Sequence, residues 1–269
     1  MLKIIRKNKT DKNNKIKKPD RNAFLQKLFS RVVRVIAILT ISAVLVYGIR
    51  ERWILNQVVN YKNNADRVIV TVDGDEITLS DMAYYIMYEE CVTEKAARIY
   101  NPDTPKDYWN TRNGGKIISG EAHKAVMGKT VHDWIFYKVA RKKGIKLTAN
   151  EKEYLKTRKE DFWEDLLDEQ YDNMYTSKKA VNETMDRMAL AQKYQRQLAD
   201  KMNINYHRLD WDAFEFEPIK KEHKIKVSEK LWDRIRIGEV TIRHYKYSPV
   251  PTGKNKTKGD ESDGDKNKN

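Results

Sequence analysis

Fifteen consecutive residues without a charge, VIAILTISAVLVYGI at 35–49, constrain this chain more than any other stretch. Taken back through Val32, Val33 and Arg34 the run reaches eighteen, the short end of what crosses a bilayer as a helix. It is apolar on every side, which fits poorly with a core helix that shows one face to water. Arg34 stands near its start, where a long side chain reaches the headgroups. Residues 1–31 carry eleven Lys or Arg against Asp11 and Asp20, whereas only Arg50, Glu51 and Arg52 follow the run directly. The positive-inside rule then places 1–31 in the cytoplasm, and all that follows residue 50 outside. An uncleaved signal anchor over 32–49 is the preferred reading. A cleaved signal peptide would need a very long basic region and a small-residue site, for which Val46-Tyr47-Gly48 is the nearest substitute.

The same segmentation reinterprets the charge. A formal net charge of +14 suggests a nucleic-acid partner, but residues 53–248 balance to about +2. The excess sits in the basic tail, so the outer part lacks the electrostatic footprint of a genome binder. Attraction to anionic lipid is enough to explain the tail. With 40% hydrophobic residues, the chain can build one sizeable core.

Outside the membrane, residues 50–66 read as a helical exit and linker, and a domain follows over 67–248. Val68 to Val72 are β-branched and run into Asp73-Gly74, a tight-turn dipeptide. Thr78 and Asp81 have capping-box spacing, so a helix is predicted to about Tyr100, ended by Asn101-Pro102. A Pro/Gly/Asn-rich loop spans 101–119, with a turn at Gly114-Gly115. Helices are then predicted over 120–143, stopped by Gly144, over 149–175 behind Thr148 and Glu151, and over 178–202. The first of these places Ala122, Val126, Ile135 and Val139 inward, the second Leu155, Phe162, Leu166 and Met174. The third places Val181, Met185, Met188, Ala191, Leu198 and Met202 inward. Residues 203–219 look irregular, Ser228 begins a short helix EKLWDRIR, and VTIRHYKY has the period of a strand. Residues 249–269 hold Lys, Asn, Gly and Asp and are expected to stay disordered.

No stretch announces a reaction. The five histidines have no metal-ligand spacing, and the single Cys91 has no CxxC partner. Cys91 reads as a small, half-buried apolar residue. The acids from Glu160 to Glu169, interleaved with Lys156, Arg158 and Lys159, read as the solvated face of one helix. No cofactor, metal or catalytic group is nominated. Aromatic residues are more telling, with six Trp and fifteen Tyr. Tyr84, Tyr85 and Tyr88 crowd one helix, and at 100° per residue they cannot all face one core. Tyr85, Tyr88, Trp134, Tyr137, Phe162 and Met188 are therefore candidates to line a cleft that grips apolar side chains of another chain. Each could equally serve the core.

The order of pieces resembles the N-terminal chaperone domain of the SurA/PrsA-type foldases. A basic tail and anchor lead to VTVDGDEITLSDMAYYI, with its strand, turn and helix. The long helix ends with Ala140, Lys142, Gly144, Ile145, Leu147, Thr148 and Glu151 in the family's A-x-K-x-G-I-x-L-T-x-x-E pattern. The resemblance covers about 66–202, with 219–243 as a returning segment. It implies a mostly α fold, a helical chaperone-like domain with a small β element preceded by one transmembrane helix. It further implies a bacterial plasma-membrane location and partners that are unfolded or newly secreted polypeptides. Family members often carry a parvulin prolyl-isomerase domain, which has no counterpart in the short interval between Met202 and Pro218. A scaffold for one envelope partner and a degenerate prolyl isomerase remain alternatives. In the domain so implied, the late strand 239–247 is expected to return and pair with 68–72.

Overall fold

The computed structural model describes residues 21–56 and 59–244, which divide into two compact units at Gln57/Val58. The first unit is one helix, α1 (Arg21–Asn56), 36 residues long. Its stretch Arg31–Arg50 is long and apolar enough to cross a membrane. At about 1.5 Å per residue those 20 residues span ~30 Å, the thickness of a hydrocarbon core. Thr40, one of two aliphatic hydroxyls in mid-run, bonds back to the carbonyls of Ile36 (3.1 Å) and Ala37 (2.9 Å), so its side chain is paired. The helix starts ten residues before the apolar run, within the segment assigned above to the tail.

The second unit is mostly helical with a small β element. Strands β1 (Val68–Val72) and β2 (Asp75–Thr78) form a hairpin about Asp73 (φ 52°) and Gly74 (φ 89°). Both turn residues are left-handed, as a two-residue hairpin of matching twist requires. Helix α2 (Ala83–Tyr100) follows. Thr78 and Asp81 form the reciprocal bonds of a capping box, Thr78 N–H to Asp81 Oδ2 at 3.0 Å and Asp81 N–H to Thr78 Oγ1 at 3.2 Å, but they close the turn before the helix, whose own N-cap, Met82, makes no side-chain cap bond. The loop after α2 contains α3 (Pro105–Trp109) and a minimal hairpin, β3 (Arg112–Asn113) and β4 (Lys116–Ile117), turned on Gly114-Gly115. The core pairs α4 (Ile118–Lys142) with α7 (Lys178–Met202), and α2 packs on both. Between them in sequence come α5 (Ala149–Asp165) and α6 (Asp168–Asp172). The described residues continue through α8 (Phe216–Lys221), β5 (Ile225–Val227), α9 (Glu229–Trp232) and an irregular strap to His244.

Several expectations change. The strand that pairs with β1 is β5, antiparallel with Val70 opposite Val227, giving the order β2-β1-β5. The described part of 239–247, residues 239–244, is not a strand, and 245–247 lie outside the described residues. Gly238 (φ 101°) breaks any extended run there. The strap's amides find a buried carboxylate instead of a neighbouring strand. Glu90 of α2 accepts from Gly238 N–H (2.7 Å), Val240 N–H (2.8 Å), Thr241 N–H (2.8 Å) and the Thr241 hydroxyl. Burial holds the Glu90 carboxyl above its usual range, and the four donors offset only part of that rise. Glu94 extends the clamp with Trp109 Nε1–H (2.9 Å) and His244 Nδ1 (3.1 Å).

The helix predicted over 149–175 stops at Asp165, where Leu166 turns extended (ψ 150°), and resumes as α6. The break lets Gln170 enter the core, where its amide donates to Met87 O and Thr241 Oγ1, both at 3.0 Å. Glu169 consequently leaves the solvated face. It is buried, pairs with Arg98 and accepts from Arg243 N–H at 2.8 Å. Helix α9 is shorter than EKLWDRIR, and Ser228 makes no side-chain cap. Val139 is half-buried and Met202 exposed, so neither joins the core. Cys91 is buried, with its thiol donating to Asp165 O at 3.1 Å, and burial raises its pKa.

Candidate functional site

Of the long helices in the second unit, α5 is the one least supported by the rest. Only Leu155 and Phe162 are buried among its seventeen residues. It starts from a strong local signal: Thr148 caps Glu151 N–H (3.3 Å) and Glu151 caps Thr148 N–H (2.7 Å). Lys193 of α7, 2.6 Å from Glu151, together with the cap, lowers that carboxyl to about 2. The preceding turn is Gly144 (φ 66°), where a left-handed residue ends α4. With so narrow a seam on α7, α5 leaves apolar depressions along its sides.

The largest, about 870 Å³, lies between α5 and α7. Ile145, Leu147, Leu155, Trp163 and Leu190 supply its apolar surface. Trp163 is held by an Nε1–H bond to Asn182 (2.9 Å), with the Lys178 ammonium 4.9 Å from its ring centre. A second depression of about 420 Å³ shares Leu147 and Leu155 and adds Tyr154, Met188 and Ala189. A third, about 330 Å³, lies between α5 and α2 and is lined by Tyr84, Tyr88, Val92 and Phe162. Their volumes match sites for several apolar side chains.

The six candidate residues do not converge on one cleft. Tyr88 is 39% exposed, stacks on Tyr84 with ring centres 6.1 Å apart, and lines the third depression with Phe162. Met188 lines the second. Trp134 and Tyr137 form a separate pair (6.1 Å) on α4, with the Trp134 Nε1–H on Asp75 (3.3 Å) and the Arg187 guanidinium 5.2 Å from its ring. Tyr85 is core. Its hydroxyl donates to Asp133 Oδ2 (2.8 Å), Asp133 Oδ1 meets His132 Nδ1 (2.7 Å), and His132 Nε2 meets Leu209 O (2.8 Å). Burial and the Asp133 charge raise the Tyr85 phenol well above its usual range. This relay is enclosed and ends on a backbone carbonyl, so it ties elements together and offers no reacting atom to a substrate.

Tyr84 and Tyr85 are both buried because residues 83–87 are enclosed on all sides, which leaves Tyr88 alone at the surface. The site residues that a face-by-face reading misses are Leu147, Tyr154, Leu155, Trp163 and Leu190. The available signal was the unusual polarity of 149–165, a capped helix with too few apolar residues to be held on more than one side. Among the described residues, no group of three or more His, Cys, Asp or Glu is placed to hold a metal ion.

Compared with protein-family models, with curated proteins and with solved structures, the chain matches none.

Proposed function

We propose that this protein is a membrane-anchored extracytoplasmic chaperone that binds unfolded or newly secreted polypeptides without catalysis. The observation that carries the reading is the pair of apolar depressions astride α5, of about 870 and 420 Å³, which offer side-chain sockets along an extended path. Such a surface suits weak, adaptable binding, because ordering an extended client costs conformational entropy. The apolar stretch Arg31–Arg50 supplies the anchor, and the basic tail before it sets a cytoplasmic N-terminus. The residue-level likeness of 66–202 to SurA/PrsA-type chaperone domains points the same way. Scaffolding of one envelope partner is the second reading, favoured by Val92, Ile99 and Tyr100, which are 51, 86 and 68% exposed on α2.

The deciding experiment places the full chain in bilayer nanodiscs and measures binding to a panel of permanently unfolded proteins, with their folded forms as controls. Micromolar binding to most unfolded forms, weakened at least fivefold by Leu190→Ser with Tyr154→Ser, is the expected result. No binding to any unfolded form refutes the chaperone and leaves the single-partner scaffold.

A further inference from the structure

The walls of these depressions are not neutral. Around the larger one stand five lysines against three acids. Lys159 is tied to Asp186 at 2.6 Å and Lys178 lies over Trp163. Lys156 makes only a long contact with Glu153, 3.9 Å, and Lys146 and Lys152 form no ion pair among the described residues. The smaller depression repeats the bias, with Arg158, Lys193 and Arg196 against Glu151, which Lys193 already neutralises. The two depressions flank α5 and both reach Leu147 and Leu155, so an extended segment that fills either one meets cations at its margin.

We infer that the surface astride α5 selects polypeptide segments in which apolar residues are flanked by Asp or Glu. The inference rests on the chaperone reading above and names the class of client segment. Apolar sockets hold side chains of any sequence, whereas a cationic rim favours carboxylates and repels lysines, so charge supplies discrimination that the sockets lack. Exposed pairs of this kind are individually weak and screened by salt, so the preference is modest and ionic-strength dependent. Two such pairs give roughly a fivefold preference at low salt.

The test uses three twelve-residue peptides with one alternating Leu/Phe core, flanked by Glu, Gln or Lys, titrated against the full chain in uncharged nanodiscs. The expected affinity order is Glu over Gln over Lys, with a Glu/Gln ratio of about five in 50 mM salt, approaching one in 1 M salt. In Lys152→Glu with Lys156→Glu, at two exposed positions of α5, the Glu/Gln ratio falls to one or below. A ratio that persists in that variant shows that the lysines of α5 do not supply the preference, and overturns the inference. Equal affinity of the three peptides for the unmodified chain, with binding intact, also overturns it while leaving the chaperone reading in place. Failure of all three to bind removes both.

Discussion

Replacing Glu90 by Gln tests whether a buried carboxylate, and not a strand, holds the C-terminal strap. Glu90 is fully buried and is surrounded only by donors: the amides of Gly238 and Val240 on Oε1, the amide and hydroxyl of Thr241 on Oε2. A glutamine keeps one acceptor oxygen and turns an NH₂ toward the other pair. The Thr241 hydroxyl can rotate its proton, but a backbone N–H cannot, so at least one buried amide loses its acceptor. An unsatisfied buried donor costs about 1–3 kcal/mol, and the remaining bonds lose their charge assistance. Removing a buried charge returns part of its desolvation cost. The net expectation is a loss of about 2 kcal/mol. Urea unfolding of the full chain in nanodiscs, followed by tryptophan fluorescence, reads this directly, since Trp109 and Trp232 flank the strap. Thr241→Val removes one donor from the same oxygen and also the acceptor of the buried Gln170 amide, so it should cost about 1–3 kcal/mol. A Glu90→Gln protein within about 0.5 kcal/mol of the original, the scatter of neutral substitutions, would refute the cradle as the strap's main support.

Two further outcomes follow from single contacts. A Cβ at Gly128 would lie 2.1 Å from Trp211 Cε3, so Gly128→Ala should destabilise by about 1–3 kcal/mol in the same unfolding assay, with partial recovery in Gly128→Ala/Trp211→Leu. The Glu151 carboxyl is lowered to about 2 by Lys193 and the cap, from an ordinary 4.5. Its contribution is therefore complete above pH 4.5 and lost as pH falls toward 2. Glu151→Gln should be less stable than the original above pH 4.5, with the difference shrinking as pH falls to 2 in thermal scans.

Local chemistry was legible wherever one or two residues settle the backbone. Asp73-Gly74 and Gly114-Gly115 turn as read, Gly144 stops α4, and Thr148-Glu151 opens α5, because φ > 0 and reciprocal capping depend on neighbours in sequence. The apolar helix was equally plain, since length and the absence of charge are local properties. The sheet partner was not. VTIRHYKY has a better strand pattern than Ile225–Val227, yet β5 takes the edge of β1, because Glu90 offers the later segment acceptors that no periodicity reveals.

The binding surface divides along the same line. Sequence by itself determined which aromatic and methionine residues were available, and which helix carries each. Only tertiary structure decided that Tyr85 is sealed against Asp133, that Trp134 and Tyr137 lie apart, and that Tyr88, Phe162 and Met188 line the depressions along α5. Helical periodicity fixes the angle between side chains on one helix, but not how many neighbours surround that helix. Enclosure is a property of the packing: α2 begins inside the core, where residues 83–87 are buried all round, whereas α5 buries only two of its residues and leaves its sides open.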